Sequence, residues 1–228
     1  MLKLMRLELR KSRFTFLRGV LIADLAILGF MILLILTGMD EGDFDSYNDV
    51  FQGVSVFVKA TYIIFASVLL SKLVIEEYKN NTITVLFMYP VSRKMLMSAK
   101  LIIVFVFTFL SVLLSNILIS SILAGITYVL PDAVQGTLTL EIITTNLLRA
   151  GTDALYAAGI GLIPLFFGMR RKSVPATIVA AVLIVMLISS GFGEFRMGNL
   201  LGISVTLALA GAFIAYLSIR NIEHQDVG

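Results

Sequence analysis

Six apolar stretches, each close to the length needed to cross a bilayer and separated by polar joints, leave this chain few ways to fold. They run at Val20–Thr37, Val54–Ile75, Leu101–Leu123, Ala150–Phe167, Val174–Ser190 and Leu200–Ile219. A helix of about 20 apolar residues crosses a hydrocarbon core of roughly 30 Å. Within such a core an unpaired amide or carbonyl finds no water, so apolar runs of this length span as helices. The predicted fold is therefore all-α, a polytopic membrane protein with six transmembrane helices in one domain of 228 residues. Composition agrees: 14% of residues are charged, against about a quarter in a soluble domain, and the mean hydropathy is +0.97. The fourth stretch is the least regular, being interrupted by Gly151, Asp153, Gly159, Gly161 and Pro164. The fifth is short, with Pro175 in its first turn, where a missing amide donor is harmless.

Lysine and arginine set the orientation, because basic residues are retained on the cytoplasmic side. With the amino terminus inside, 15 of the 18 basic residues fall in cytoplasmic segments. Only Lys59, Arg149 and Arg196 fall on the outer side. Both termini are then cytoplasmic. A count of five or seven spans would scramble this bias. The loop Met39–Asp49, with Asp40, Glu41, Asp43, Asp45 and Asp49 and no basic residue, suits the outer face, and Arg170-Arg171-Lys172 reads as a short cytoplasmic turn. Tyr128–Asn146 reads as the long outer segment.

Catalytic chemistry has little to work with. Cysteine is absent and His224 is the lone histidine, which leaves no thiolate or histidine set for a metal. There is no G-x-x-x-x-G-K-[ST] phosphate loop and no H-E-x-x-H. Gly159 and Gly161 are better placed for close helix packing in lipid. No catalytic residue, metal ligand or nucleic-acid surface is expected, and the chain is not expected to be an enzyme.

The first 16 residues do not read as a cleaved signal, which would need one apolar core and a small-residue cleavage site. Lys3, Arg6, Arg10 and Arg13 recur at steps of three and four, and Leu2, Met5, Leu9 and Phe16 line another face. The pattern is an amphipathic helix in the inner interface, its basic side toward anionic headgroups. It serves either as a topology anchor or as a surface that also touches a cytoplasmic partner.

The most informative segment joins the second and third spans, residues 76–100, EEYKNNTITVLFMYPVSRKMLMSAK. Residues from Glu77 to Met88 can form about three helical turns. Glu76 and Glu77 suit the positive end of that helix dipole. Ile83, Leu86 and Phe87 share an apolar face, and Pro90 ends the helix because it disfavours the α conformation at residue 89. Ser92 can cap the next helix, with Arg93 and Lys94 at the membrane surface. This predicts a short cytoplasmic helix tied to two spans.

The pattern Glu77, Thr82, Leu86, Pro90, Ser92-Arg93 and Lys100 resembles the permease subunits of type-2 ATP-binding-cassette (ABC-2 type) transporters, in which E-x4-T-x3-L-x3-P-x-S-R follows the second span. The basic amino-terminal helix and the six spans share that likeness, so it covers nearly the whole chain. The resemblance implies a permease paired with a second copy or paralogue and driven by separate cytoplasmic ATPase subunits, which would carry the ATP and magnesium. It implies a coupling segment at 76–92, with Glu77, Tyr78, Thr82, Ile83, Leu86, Phe87, Pro90, Ser92 and Arg93 facing the ATPase. It further implies export of a peptide, lipid or drug-like substrate from a bacterial cell membrane, with antimicrobial peptide export or self-immunity favoured. The alternative is a six-helix immunity or scaffold protein that transports nothing. The sequence departs from the lipid- and drug-exporting branch at Gly191–Asn199, which is short for re-entrant helices.

Asp24, Lys59 and Asp153 fall within or at the edge of the spans. A charge at the bilayer centre costs about 2.5–3.5 kcal/mol on insertion scales. Either Asp24 is helped by Arg18 or the interface and Lys59 snorkels toward the acidic loop, or the three line a pathway or dimer interface. The acidic loop is either a plain solvated surface or, if the substrate is a cationic peptide, a patch that raises its local concentration.

Overall fold

The computed structural model describes residues 2–37, 46–79, 93–129, 138–189, 191–192, 195–196 and 201–221. It is built from helices, in chain order α1 (Leu2–Thr37), α2 (Tyr47–Leu70) and α3 (Glu76–Lys79), then α4 (Arg93–Val129), α5 (Leu140–Ile160), α6 (Pro164–Arg171), α7 (Val174–Ser189) and α8 (Leu201–Asn221). A π-helical turn, Ser71–Ile75, joins α2 to α3 without a break. Gly191–Phe192 and Phe195–Arg196 pair as a two-residue antiparallel ladder.

Among the described residues, five helical stretches are long and apolar enough to cross a membrane: 16–35, 47–75, 94–127, 140–171 and 202–220. The sixth, α7, has 16 residues, about 24 Å at the α-helical rise. The exterior is apolar: Ile22, Leu25, Leu148 and Leu209 are at least 64% exposed. Serine, threonine, asparagine and aspartate are buried inside, among them Ser55, Thr108, Asn116 and Asp153. That inversion suits a bundle whose solvent is hydrocarbon, where interhelical polar contacts replace water.

Helix α2 is the axis of the bundle. It packs against α1, α4, α5 and α7 and buries Val50, Val54, Val58, Tyr62, Ala66, Leu69 and Leu70, residues at steps of three and four. Ser46 starts it: the Ser46 side chain accepts from the amide of Asp49 and donates to the Asp49 carboxylate. One apolar cluster gathers Leu69, Leu73, Ile75, Met97, Leu101 and Leu165 around the end of α2. A second gathers Met31, Val54, Val58, Ile119, Leu123, Ala154 and Ala157 around its beginning.

The boundaries differ from the sequence reading at two places. The amphipathic stretch and the first span, expected as two elements, form one uninterrupted helix from Leu2 to Thr37. The segment expected as a long outer loop, 128–146, is helical at both ends, since α4 runs to Val129 and α5 begins at Leu140. Glu141, Thr144, Thr145, Asn146 and Arg149 dilute the apolar signal there, yet none of them breaks a helix. The fourth span is interrupted as its glycines and proline suggest. Pro164 has no amide to offer the Ile160 carbonyl, which accepts from Ile163 at 3.0 Å instead, and the chain turns through residues 161–163 before α6 starts. The basic run closes α6: Lys172 takes a left-handed conformation with φ 45°, and its amide and that of Ser173 both point to the Gly168 carbonyl.

Two glycine sites hold helices in close contact. A Cβ on Gly211 of α8 would collide with the Gly159 carbonyl of α5, and one on Gly168 would collide with the Thr177 hydroxyl and Ile75. Backbone cannot yield as a side-chain tip can. Gly211→Leu is expected to lose about 1–3 kcal/mol or more of stability through overpacking, read as a lower melting temperature of the detergent-solubilised protein. Gly202→Ala, at an open position, should leave it unchanged.

Candidate functional site

The polar groups of the bundle interior converge on one layer built around α2. Ser55, Lys59 and Tyr62 stand at steps of four and three, so they share one stripe of that helix. Lys59, 12 residues after Tyr47, donates to Asp153 Oδ1 of α5 at 3.0 Å, with side-chain exposures of 17% and 10%. It therefore pairs across the bundle instead of snorkelling toward the acidic loop. The Tyr62 hydroxyl donates to Asp24 Oδ1 of α1 at 2.7 Å and accepts from Ser115 of α4 at 2.8 Å. Asp24 thus leans on a phenol, and among the described residues no ion pair of Asp24 with Arg18 occurs. One helical step away, Asn116 of α4 donates to Ser55 at 2.8 Å, and Ser120 reaches Asn116 Oδ1 at 3.5 Å.

Four helices are stitched together by this layer. Its formal charges are two carboxylates, Asp24 and Asp153, against one ammonium, Lys59. The second oxygen of Asp153 is buried and receives no hydrogen bond. Of the three charged residues singled out from the sequence, Lys59 and Asp153 are in contact, and Asp24 joins the same layer through Tyr62. Tyr62, Ser55, Ser115, Asn116 and Ser120 were not singled out. The available signal was the α2 stripe itself, with Ser and Tyr at helical spacing around an intramembrane lysine.

A second constellation lies at the end of α2. The π turn replaces the α-helical hydrogen bond with one from the Glu76 amide to the Ser71 carbonyl. Such turns widen a helix locally and recur at functional sites. Lys100 of α4 is 3% exposed; its ammonium donates to the Leu73 carbonyl at 2.8 Å and forms a salt bridge with the Glu77 carboxylate. A buried ammonium is tolerated only when paired in this way. Lys72 lies 5.8 Å from the centre of the Phe16 ring, within cation–π range, which ties α1 to the same turn. Phe16, Phe107, Phe65 and Tyr62 then follow one another with ring centroids 5.9–6.2 Å apart, so the turn and the polar layer are in unbroken contact.

Of the coupling residues expected from the sequence, Glu77 is in this clamp, and Tyr78 and Arg93 lie in α3 and α4 with side chains outside the described residues. Thr82, Ile83, Leu86, Phe87, Pro90 and Ser92 lie outside the described residues altogether. Lys3, Arg6, Arg10 and Arg13 lie in the first half of α1, their side chains likewise outside. Among the described residues no group of three or more histidine, cysteine, aspartate or glutamate side chains could hold a metal.

Apolar outside, with charged groups inside and spans built from helices, this is a multi-pass membrane protein with two spans locked together at one end. Residues 4–188 match the family model described as ABC-2 family transporter protein. The chain belongs to that family, and is accordingly a membrane-spanning subunit of an ABC transporter, a class that works with an ABC ATPase subunit. It is 46% identical to the Bacillus subtilis (strain 168) protein named "Uncharacterized protein YcbO" over 230 residues, 99% of this chain and 100% of that one. No solved structure matches the chain.

Proposed function

We propose that this chain is the permease half of an ATP-driven exporter, with both termini cytoplasmic and a second permease copy or paralogue completing the pathway. The favoured cargo is an antimicrobial peptide or a similar amphiphile, moved out of a bacterial cell or away from its membrane. ATP and magnesium act on the partner ATPase, and this chain supplies the path. The observation that carries the reading is the Lys100–Glu77–Leu73 clamp. It fastens the segment following the second span to the start of the third, so a push delivered between residues 76 and 92 reaches both spans instead of dissipating in a hinge.

The test is co-purification. An affinity-tagged chain, extracted in mild detergent from its native host, is expected to retain an ABC ATPase. Phe87→Ala and Leu86→Ala, in the proposed docking face, are expected to reduce that retention by about tenfold or more, the loss of a buried apolar anchor being worth ~2 kcal/mol. Full protection of cells against the exported compound when the ATPase is deleted would favour an immunity or scaffold protein acting by direct binding.

A further inference from the structure

The polar layer is short of one positive charge, and Asp153 is short of one donor. Asp153 is 7% exposed, and its Oδ1 is taken by Lys59 while its Oδ2 is buried with no hydrogen-bond partner. An ionised carboxylate accepts several hydrogen bonds, and in the interior of a bundle each missing donor is felt strongly. We propose that Asp153 is a binding site for a single positively charged N–H-bearing group carried on an apolar body, an alkyl- or arylammonium, and that Lys59 is a tethered competitor holding the carboxylate when the site is empty. This rests on the transport reading and deepens it by naming the class of cargo the site accepts.

Three features of the surroundings select that class. Val58 and Ala154, the chain neighbours of the pair, and Ala157, one helical turn beyond Asp153, belong to a buried apolar cluster whose small and β-branched side chains suit a hydrocarbon body. The groups of Ser55, Asn116 and Ser120, bonded to one another, start one helical turn before Lys59 on α2 and are polar without adding charge. A divalent metal is disfavoured, because among the described residues no group of three or more aspartate, glutamate, histidine or cysteine side chains forms. Lysine is the suitable competitor: its flexible stem lets the ammonium withdraw from the carboxylate without moving α2. An anionic cargo would be repelled by Asp153, and a neutral donor would gain a hydrogen bond without the charge attraction that makes the ammonium contact strong.

The experiment uses the full chain in lipid nanodiscs with 2-phenylethylammonium as probe and 2-phenylethanol, its neutral counterpart of similar shape, as control. Binding to the folded state raises the melting temperature by linkage, by about 3–6 °C at a concentration ten times the Kd. Lys59→Met, which removes the competitor, is expected to show the full rise at a probe concentration where the wild type shows less than half of it. Lys59→Met/Asp153→Asn, with both charges removed, is expected to show none, and 2-phenylethanol, whose neutral hydroxyl is the weaker donor, is expected to separate the three proteins by far less than the ammonium does. Equal responses of the wild type and the double variant to the ammonium probe would overturn the proposal. So would a Lys59→Met response no larger than that of the wild type, since Oδ2 would then take only water. If Lys59→Met fails to fold, the comparison of wild type with double variant decides alone: binding by the wild type only supports the site, and equal binding refutes it. Retention of the ABC ATPase, measured on the same proteins, is expected to be unchanged throughout. Its loss from the wild type would speak against the transport reading and leave the cation result standing.

Discussion

Lys59→Met is expected to destabilise the protein by about 3–5 kcal/mol, the range for stranding one member of a buried ion pair, with the Lys59→Met/Asp153→Asn double variant returning to within about 1 kcal/mol of the wild type. The asymmetry between the single changes is the informative part. Asp153 sits on a short stem, 7% exposed on α5, and once Lys59 is gone no other cation is paired with it among the described residues. Lys59, by contrast, has four methylenes, so in Asp153→Asn it keeps an amide oxygen as acceptor or slides along the helix toward water. Asp153→Asn alone is therefore expected to lose only about 1–3 kcal/mol, the scale of a weakened buried hydrogen bond. Denaturant titration of the four proteins in one detergent gives the coupling energy directly. Near-additivity would mean that the 3.0 Å contact is held by helix packing and contributes no interaction of its own.

The ordering of these effects also explains what could and could not be read from the sequence. Hydropathy located the five stretches long and apolar enough to cross a membrane and the shorter α7, since a long apolar run has one destination in a membrane protein. It misplaced the start of α5 by ten residues, because hydropathy measures lipid contact and a helix persists wherever its backbone hydrogen bonds continue. Glu141 and Arg149 are exposed yet helical. The continuity of α1 was hidden for the same reason: a change from basic to apolar composition after Arg18 marks a change of solvent, and nothing between Arg13 and Gly19 compels the backbone to turn. The charged residues of the interior were visible one by one, since Asp24, Lys59 and Asp153 stand out in apolar surroundings. Their partners were not. Tyr62 reads as one more aromatic in a hydrophobic span, and whether its hydroxyl meets Asp24 depends on how α1 and α2 are rotated. Lys59 and Asp153 are 94 positions apart, and local spacing says nothing about such a pair. The clamp was half legible: Glu77 and Lys100 belong to one family-like pattern, but the π turn that presents the Leu73 carbonyl to Lys100 leaves no mark in the composition of Ser71–Ile75.

That clamp yields the other large expected effect, in which stability and coupling separate. Lys100 is nearly fully buried, its side chain 4% exposed against 22% for Glu77. Glu77→Ala strands the ammonium with the Leu73 carbonyl as its remaining partner in the clamp and is expected to lose about 3–5 kcal/mol. Lys100→Met removes the buried charge itself. Glu77, 22% exposed at the rim, stays within reach of water and has interactions besides this bridge, so Lys100→Met and the Glu77→Ala/Lys100→Met pair are expected to remain within about 1–2 kcal/mol of the wild type, as buried ion pairs replaced by apolar groups often do. If the bridge between α3 and α4 is what carries motion from the ATPase into the bundle, coupling has to fail in all three variants whatever their stability. The expectation is a fall in transport-linked ATP hydrolysis of about 5- to 150-fold, the usual span of a 1–3 kcal/mol coupling energy, with ATPase retention preserved. A stable Lys100→Met protein that binds its ATPase and transports at the wild-type rate would remove the clamp from the mechanism. The push would then have to enter by another route, and α1, held to the same turn through the Lys72–Phe16 contact and to the polar layer through Asp24 and Tyr62, offers one.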